Sequence, residues 1–191
     1  MENKFLRTVS TLLILFIAFP QSLGQIQPVT SQVLSEVAQG SSVNSRIAVV
    51  SGSNKCDPGK VKDPNAPCSD EMFNEVSLTK STQLTYTCGV NVKNAFGTIV
   101  AKLWENVTVT WQTSGYTINN ATRSTWVKNS TYGWTNLSGP APNSGYYGYF
   151  FLTHVITTGT VTYFGGPWNS YEVRLSLMGS ESDPHWSCSI Y

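Results

Sequence analysis

The residues best suited to catalysis are two carboxylates and one imidazole in the second half of the chain. Glu105 and Glu172 lie beside or within predicted strands, and paired carboxylates on one sheet face would suit glycoside hydrolysis. His154 lies in a strand-like run and is interpreted as a strand residue rather than as the base of a serine triad. Glu172 shares its predicted face with Arg174, so an ion pair on the solvent side is the simpler interpretation. A glycosidase-like hydrolase, with carboxylates in a sheet concavity, is therefore kept as the alternative to a non-enzymatic role.

Neither the acidic residues nor the cysteines are spaced like the ligands of a metal. Asp57, Asp63, Asp70 and Glu71 flank a proline-rich loop, but they match no calcium-loop signature, and nearby lysines offset their charge. The chain has no Cys-x-x-Cys pair, no His-Glu-x-x-His, and neither a Walker nor a dinucleotide signature. We therefore predict a solvated loop, no metal and no cofactor.

Aromatic residues are concentrated in the second half of the chain and are the main candidates for binding. Between Tyr146 and Phe151 they occupy both faces of a predicted strand, whereas a sandwich strand buries only one. Flat rings left on the surface can stack on sugars or on apolar groups of a partner. Burial in the core, under the 134–145 loop, is the competing interpretation for each ring. The candidate binding residues are Trp126, Trp134, Tyr147, Tyr149 and Trp168.

The N-terminus predicts export. Residues 1–24 have the form of a signal peptide: Lys4 and Arg7 precede an apolar run at 12–19, and small residues lie at −3 and −1 of a cut before Gln25. The apolar stretch from Val9 to Phe19 is about half of the roughly 20 residues that span a bilayer, so an uncleaved anchor is the weaker interpretation. No later segment approaches that length. We expect a secreted protein with no membrane insertion after cleavage of the signal.

Composition narrows the class of partner. Charged residues are 12% of the chain, about half of the usual quarter. Removal of residues 1–24 takes away Lys4, Arg7 and Glu2, and leaves ten basic and ten acidic residues. Binding to nucleic acid needs a basic excess, so nucleic acid is not an expected partner. A neutral, Ser/Thr/Asn-rich surface is typical of extracellular β proteins that contact glycans or other proteins.

Four cysteines fall in the predicted mature chain, and their even number favours two disulfides. Three connectivities are open, of which we prefer Cys56–Cys68 and Cys88–Cys188. The first pair closes a short loop with three prolines, and the second ties a predicted strand to the end of the chain.

Period-two alternation predicts an all-β fold. Apolar and polar residues alternate from Leu84 to Val92 and from Tyr171 to Leu177. Eight to ten short strands are expected, with no convincing helix after residue 40. Strands are predicted at 45–50, 84–92, 98–104, 107–111, 124–128, 171–177 and 186–190, and two strands or one bent strand are predicted around Gly159 in 146–164. Turns or loops are predicted at 54–70, 94–97, 119–120, 136–145 and 165–167.

These elements predict one domain. Residues 43–191 are expected to form a single antiparallel β-sandwich, immunoglobulin-like or jelly-roll-like, after a flexible polar arm at 25–42.

Part of the chain resembles an immunoglobulin domain. Leu84-Thr-Tyr-Thr-Cys88 looks like its second strand, and Trp104 falls roughly where the core tryptophan would lie. Asp183 and Trp186 echo the residues before the second cysteine. The chain departs from that pattern because the two cysteines are about 100 residues apart and no final strand follows Cys188.

Four Asn-x-Ser/Thr sequons would be N-glycosylation sites in a eukaryotic host: Asn106, Asn120, Asn129 and Asn136. Chance is the alternative, because Asn, Ser and Thr are abundant in this chain.

The leading hypothesis is a secreted, non-enzymatic binding protein that contacts a glycan or an extracellular protein through exposed aromatics. The second is the hydrolase described above. The third is a structural or self-assembling extracellular component with unpaired edge strands. The oligomeric state is left open.

Overall fold

The computed structural model describes Cys56 and residues 62–80 and 83–191. The predicted signal peptide, the arm at 25–42 and the predicted strand at 45–50 lie outside these residues. The described part contains nine strands and no helix: β1 (Pro67–Lys80), β2 (Gln83–Asn94), β3 (Ile99–Gln112), β4 (Gly115–Val127), β5 (Tyr132–Ala141), β6 (Gly145–Gly148), β7 (Thr153–Tyr163), β8 (Gly166–Ser180) and β9 (Asp183–Ile190). Within it, no helix is therefore available to cross a membrane.

The strands form two antiparallel sheets packed face to face, which confirms the predicted β-sandwich. One sheet has the order β1-β2-β3-β4-β6 and the other has the order β5-β7-β8-β9. Both consist mainly of strands joined by hairpins. After β4, β5 joins the second sheet, β6 returns to the first, and β7 joins the second again. The chain therefore crosses between the layers around residues 128–152.

Alternating side chains build the core between the sheets. In β3, every second residue from Leu103 to Trp111 is buried, and the residues between them face outward. β2, β7 and β8 follow the same pattern, since a strand with one covered face alternates with period two. The core therefore occupies the space between the two inner faces.

Three large aromatic residues in the core, Tyr86, Trp111 and Tyr116, have their polar atoms paired. The Trp111 Nε1–H donates to the Tyr86 hydroxyl at 2.8 Å, and the Tyr116 hydroxyl lies 2.8 Å from the carbonyl of Leu177 in the opposite sheet. Burial raises the pKa of both Tyr86 and Tyr116. These rings supply apolar area without leaving a buried hydroxyl unpaired.

The strands are longer than expected, because two predicted breaks lie within continuous strands. The predicted loop at Asn119-Asn120 lies inside β4: Thr108 pairs with Asn120 and Val109 pairs with Ile118, so Asn119 is the extra residue of a β-bulge. The two strands predicted at 98–104 and 107–111 form the single strand β3.

The long turn predicted at 136–145 is also wrong in most of its length. β5 continues to Ala141, with register shifts after Thr135 and Ser138. Asn136 has a φ of 51°. Asparagine tolerates the left-handed region, so the chain bends there without leaving the sheet.

β7 runs unbroken through Gly159, where a bend or break was predicted. A Cβ on Gly159 would lie 2.8 Å from Leu137 Cδ2 and 3.1 Å from Trp134 Cε3. This glycine therefore makes room for side chains of β5 and does not interrupt the strand.

Two features of the first sheet were missed. β1 was not singled out, and its first residues were expected to be loop. Trp104 does not occupy the core position implied by the immunoglobulin resemblance, because it lies on the outer face with Phe73 across Gly89. Trp111 is the buried tryptophan of β3.

Both preferred disulfides are confirmed. Cys56 bonds to Cys68 and Cys88 bonds to Cys188, and no free cysteine remains in the described chain. The second bond joins β2 of one sheet to β9 of the other. Two disulfides are typical of a protein that folds in an oxidising compartment.

The turns cluster at two opposite ends of the sandwich. We call one of them the Phe164 end, which consists of residues 63–66, 95–98, 128–131 and 164–165. There, the Phe164 N–H donates to Thr131 O at 2.8 Å. We call the other the Phe150 end, which consists of residues 112–114, 149–152 and 180–182. There, the Tyr149 N–H donates to Ser114 O at 3.0 Å.

We expect the two disulfides to differ in their contribution to stability. Cys88–Cys188 spans 100 residues and Cys56–Cys68 spans 12. Loop-closure entropy predicts a loss of about 4–5 kcal/mol for Cys88→Ala/Cys188→Ala and about 3 kcal/mol for Cys56→Ala/Cys68→Ala. Denaturant unfolding of both double variants measures the difference. A larger loss from the short-loop variant would contradict the prediction.

Candidate binding site

Three aromatic side chains gather at the hairpin between β7 and β8, and we call Tyr163, Phe164 and Trp168 the aromatic turn. The ring of Tyr163 lies edge-on to both others, with centroids 4.6 Å from Phe164 and 5.7 Å from Trp168. Phe164 is 76% exposed and Trp168 is 51% exposed. The aromatic turn is therefore a compact apolar surface at the Phe164 end.

The backbone at Phe164 is unusual for its side chain. Tyr163 pairs with Gly166, so Phe164 and Gly165 form a two-residue hairpin loop with φ values of 49° and 75°. Positive φ at both positions is the requirement of a type I′ turn, which favours Asn-Gly. A bulky residue in the left-handed region costs on the order of 1 kcal/mol or more. The chain thus holds an exposed phenyl ring in a conformation that asparagine or glycine would adopt more readily.

Trp168 also lies at a backbone irregularity. Val161 pairs with Asn169 and Thr162 pairs with Pro167, so Trp168 is the extra residue of a β-bulge in β8. Bulges redirect side chains and are frequent at functional sites. Each of the two exposed rings of the aromatic turn is therefore positioned by a local departure from regular sheet geometry.

Tyr163 anchors the aromatic turn to the rest of the Phe164 end. Its hydroxyl donates to Asp63 Oδ2 at 2.6 Å, and its ring lies 5.4 Å from the ring of Tyr132. The hydrogen bond to Asp63 raises the pKa of Tyr163 to about 12, and it lowers the pKa of Asp63. Tyr132 in turn donates to the carbonyl of Asn65 at 2.8 Å. Tyr163, which contacts both other rings of the aromatic turn, is thus held in place by Asp63 and Tyr132.

The five predicted binding residues do not share one surface. Trp126 is exposed on the outer face of the first sheet, with Lys102 Nζ 5.7 Å above its ring. Trp134 and Tyr147 pack against the core, where Tyr147 stacks on Tyr116. Tyr149 is at the opposite end.

Trp168 is therefore the one predicted binding residue in the aromatic turn. Phe164 was not among the five candidates. The signal that could have found it is the Phe-Gly-Gly order at a hairpin, where a turn-forming asparagine is expected.

Glu105 is buried between the two sheets, at the centre of the sandwich. The Thr157 hydroxyl lies 2.8 Å from its Oε2, and the Leu175 N–H donates to its Oε1 at 3.1 Å. Burial raises the pKa of Glu105 to about 8, against the smaller opposite effect of these hydrogen bonds. Glu105 pairs with Cys88 across β2–β3, and Leu175 pairs with Cys188 across β8–β9. This carboxyl and the inter-sheet disulfide therefore cross the interface at neighbouring positions.

The other catalytic candidates lie elsewhere. Glu172 is on the outer face of the second sheet, where it forms an ion pair with Arg174. His154 Nδ1 lies 2.8 Å from the Ser176 hydroxyl on the same face. Desolvation, followed by the charge of Arg174, lowers the pKa of His154. Glu105 points inward from one sheet and Glu172 points outward from the other, so the structure does not bring the two carboxylates together.

The acidic residues around the proline-rich loop have partners of other kinds. Besides Tyr163, Asp63 accepts a hydrogen bond from the Asn65 N–H at 2.9 Å, and Glu71 pairs with Lys93 at 2.6 Å. Asp57 lies outside the described residues. Among those that are described, no three His, Cys, Asp or Glu side chains are grouped to hold a metal ion.

The sequons differ in exposure. Asn120, Asn129 and Asn136 are exposed, whereas Asn106 is half-buried in β3 and its Oδ1 accepts the Thr87 hydroxyl at 2.8 Å. Glycosylation of any of the four stays a prediction.

Comparisons of the chain with protein-family models, with curated proteins and with solved structures yielded no match.

Glu105 predicts how stability depends on pH. Its pKa is raised from 4.5 to about 8 on folding, so between these values the unfolded chain releases a proton that the folded chain keeps. The contribution of Glu105 to stability is therefore full below the unfolded pKa and is lost as pH rises to about 8, by up to about 5 kcal/mol.

Glu105→Gln tests this, because an amide reproduces the protonated carboxyl at both hydrogen bonds. We expect the variant to match the wild type at about pH 5 and to exceed its unfolding free energy at about pH 9, as measured by denaturant unfolding. A decline with pH that is equal in both proteins would show that Glu105 is not its source.

Proposed function

We propose that the protein is a secreted, non-enzymatic binding module and that the aromatic turn is its ligand-contacting surface. The observation that carries the proposal is Phe164, a largely exposed ring held at positive φ. An unfavourable backbone conformation persists where its surroundings impose it, and such positions cluster at functional sites. Neither core packing nor turn formation accounts for a phenylalanine here, whereas contact with a ligand does.

A glycan is the ligand class that fits this surface best. Phe164 and Trp168 offer apolar ring faces, and ring faces stack on sugars with little loss of side-chain entropy. Neutral hydrogen-bonding groups lie nearby, among them Asn129, whose Oδ1 accepts the N–H of Thr131. Ten basic and ten acidic residues in the predicted mature chain favour a neutral ligand over a charged one. An extracellular protein is the second candidate, because exposed aromatics also serve as anchors in protein interfaces.

The arrangement of titratable groups supports binding over hydrolysis. A glycosidase needs two carboxyl groups facing one substrate across roughly 5–10 Å. Here Glu105 is buried with inter-sheet hydrogen bonds, and Glu172 is occupied by Arg174 on the outer face. We therefore place the hydrolase hypothesis behind the binding hypothesis.

Secretion is part of the same proposal. Two disulfides and a predicted signal peptide at 1–24 are consistent with folding in an oxidising secretory compartment.

Phe164→Asn separates function from folding. Asparagine is favoured at this turn position, so we expect the variant to be as stable as the wild type or more stable, by about 1 kcal/mol. The same change removes the phenyl ring, so affinity for the glycan identified on an array should fall at least tenfold, as measured by calorimetry. Trp168→Ala should lower affinity to a similar degree.

Phe150→Ser is the matched control, since it removes an exposed ring from the opposite end and should leave glycan affinity unchanged. Glycan binding that survives both Phe164→Asn and Trp168→Ala would refute the assignment of this surface. An array without any bound glycan, together with a protein ligand lost in the same two variants, would favour the protein alternative.

A further inference from the structure

A second apolar surface lies at the opposite end of the sandwich. Phe150, Phe151 and Leu152 are consecutive in the loop between β6 and β7 and are 87%, 66% and 56% exposed. We call these three residues the apolar tip. Scattered single apolar residues are normal on protein surfaces, but a contiguous group on a soluble domain marks a contact site.

The backbone on both sides of the apolar tip is held by hydrogen bonds. Phe151 N–H donates to Gly148 O at 2.9 Å, and Gly179 N–H donates to Tyr149 O at 3.1 Å. The Tyr116 hydroxyl lies 3.0 Å from Phe151 O. The loop joins a strand of one sheet to a strand of the other, so both layers support it. The three side chains are thus presented by a fixed backbone.

The shape of the apolar tip favours contact with lipid over contact with the surface of a folded protein. Successive side chains of a short loop project in different directions, and each of these three is more than half exposed. One flat protein surface covers such a projection from one side only, whereas lipid surrounds it. Amphipathic segments bury apolar side chains about 5–10 Å deep at the boundary between headgroups and acyl chains.

Tyrosines flank the apolar tip in the way that an interfacial site requires. The Tyr146 hydroxyl lies 3.1 Å from Ser114 O, and the Tyr149 hydroxyl donates to Asp183 Oδ2 at 2.9 Å. The ring of Tyr149 packs edge-on against Phe150, with centroids 4.8 Å apart. An apolar ring with an anchored polar atom is the side chain that is enriched where hydrocarbon meets water.

The charges near the apolar tip indicate which kind of lipid it meets. Glu181 lies on the neighbouring β8–β9 turn, and Asp183 is the first residue of β9, where it pairs with His185 at 3.0 Å. Two carboxylates at this end disfavour an anionic surface. A zwitterionic surface carries no such penalty.

We propose that the apolar tip inserts shallowly into a zwitterionic lipid surface, which makes the Phe150 end a peripheral membrane-contact site. Attachment by three side chains is reversible, as it is for a single lipid anchor. The proposal revises the expectation of no membrane insertion, which rested on the absence of a segment long enough to span a bilayer. It does not depend on the aromatic turn, which faces the opposite direction.

Co-sedimentation of the purified mature protein with phosphatidylcholine vesicles tests the proposal. We expect measurable partitioning that is insensitive to salt and falls at least tenfold in Phe150→Ser/Phe151→Ser. The double variant should keep the wild-type unfolding free energy, because both rings are exposed. Phe150→Trp gives a second readout, because it adds an indole at the apolar tip to the native tryptophans. Brominated phosphatidylcholine should quench the emission of this added indole.

Phe164→Asn is the matched control and should partition like the wild type. Three outcomes would overturn the proposal: no partitioning, equal partitioning of the double variant, or binding confined to anionic vesicles and lost in salt. Dimerisation abolished by Phe150→Ser/Phe151→Ser, without vesicle binding, would also overturn it, because the occupant would then be a second copy of the chain.

Discussion

The buried contact of Glu105 with Thr157 and Leu175, beside the Cys88–Cys188 bond, is the interaction on which the arrangement of the two sheets depends. Hydrophobic contacts between inner faces are not directional, so they fill the core without fixing how one sheet lies on the other. A carboxyl with one partner on β7 and another on β8, next to a covalent bond, specifies that relation. Thr157 and Leu175 each contact one oxygen of the Glu105 carboxyl. A shift between the sheets would therefore leave these buried polar groups unpaired.

This constraint leaves the proposed contact surfaces outside the core. The centre of the sandwich holds the one strongly buried carboxyl of the described chain, and both of its hydrogen-bonding partners belong to the opposite sheet. Both proposed contact surfaces lie at the ends, where turns depart from regular sheet geometry. At one end a strained turn and a bulge expose Phe164 and Trp168, and at the other a hydrogen-bonded loop exposes Phe150, Phe151 and Leu152. A rigid core is what allows both groups of rings to be held outward.

Much of the fold could be predicted from the sequence, because alternation with period two and an even number of cysteines are local signals. The strands around Cys88 and Leu175 and both disulfides followed from them. Bulges were harder to predict, because a polar residue such as Asn119 indicates the end of a strand although the partner strand continues beside it. The choice between buried and exposed aromatics could not be made either. Trp134 and Trp168 look alike in sequence, and only strand pairing turns the first toward Tyr171 and the second outward.

The protonation state of Glu105 reports whether the space between the sheets is closed to water. Carbon-13 labelling of the glutamate side chains, followed by an NMR titration of the Glu105 carboxyl resonance in the folded protein, measures its pKa. We expect the titration of the Glu105 carboxyl to have its midpoint near 8, so that the carboxyl is still protonated at neutral pH. A midpoint near its ordinary value of 4.5 would mean that water reaches the group, and it would contradict a closed core between the two sheets.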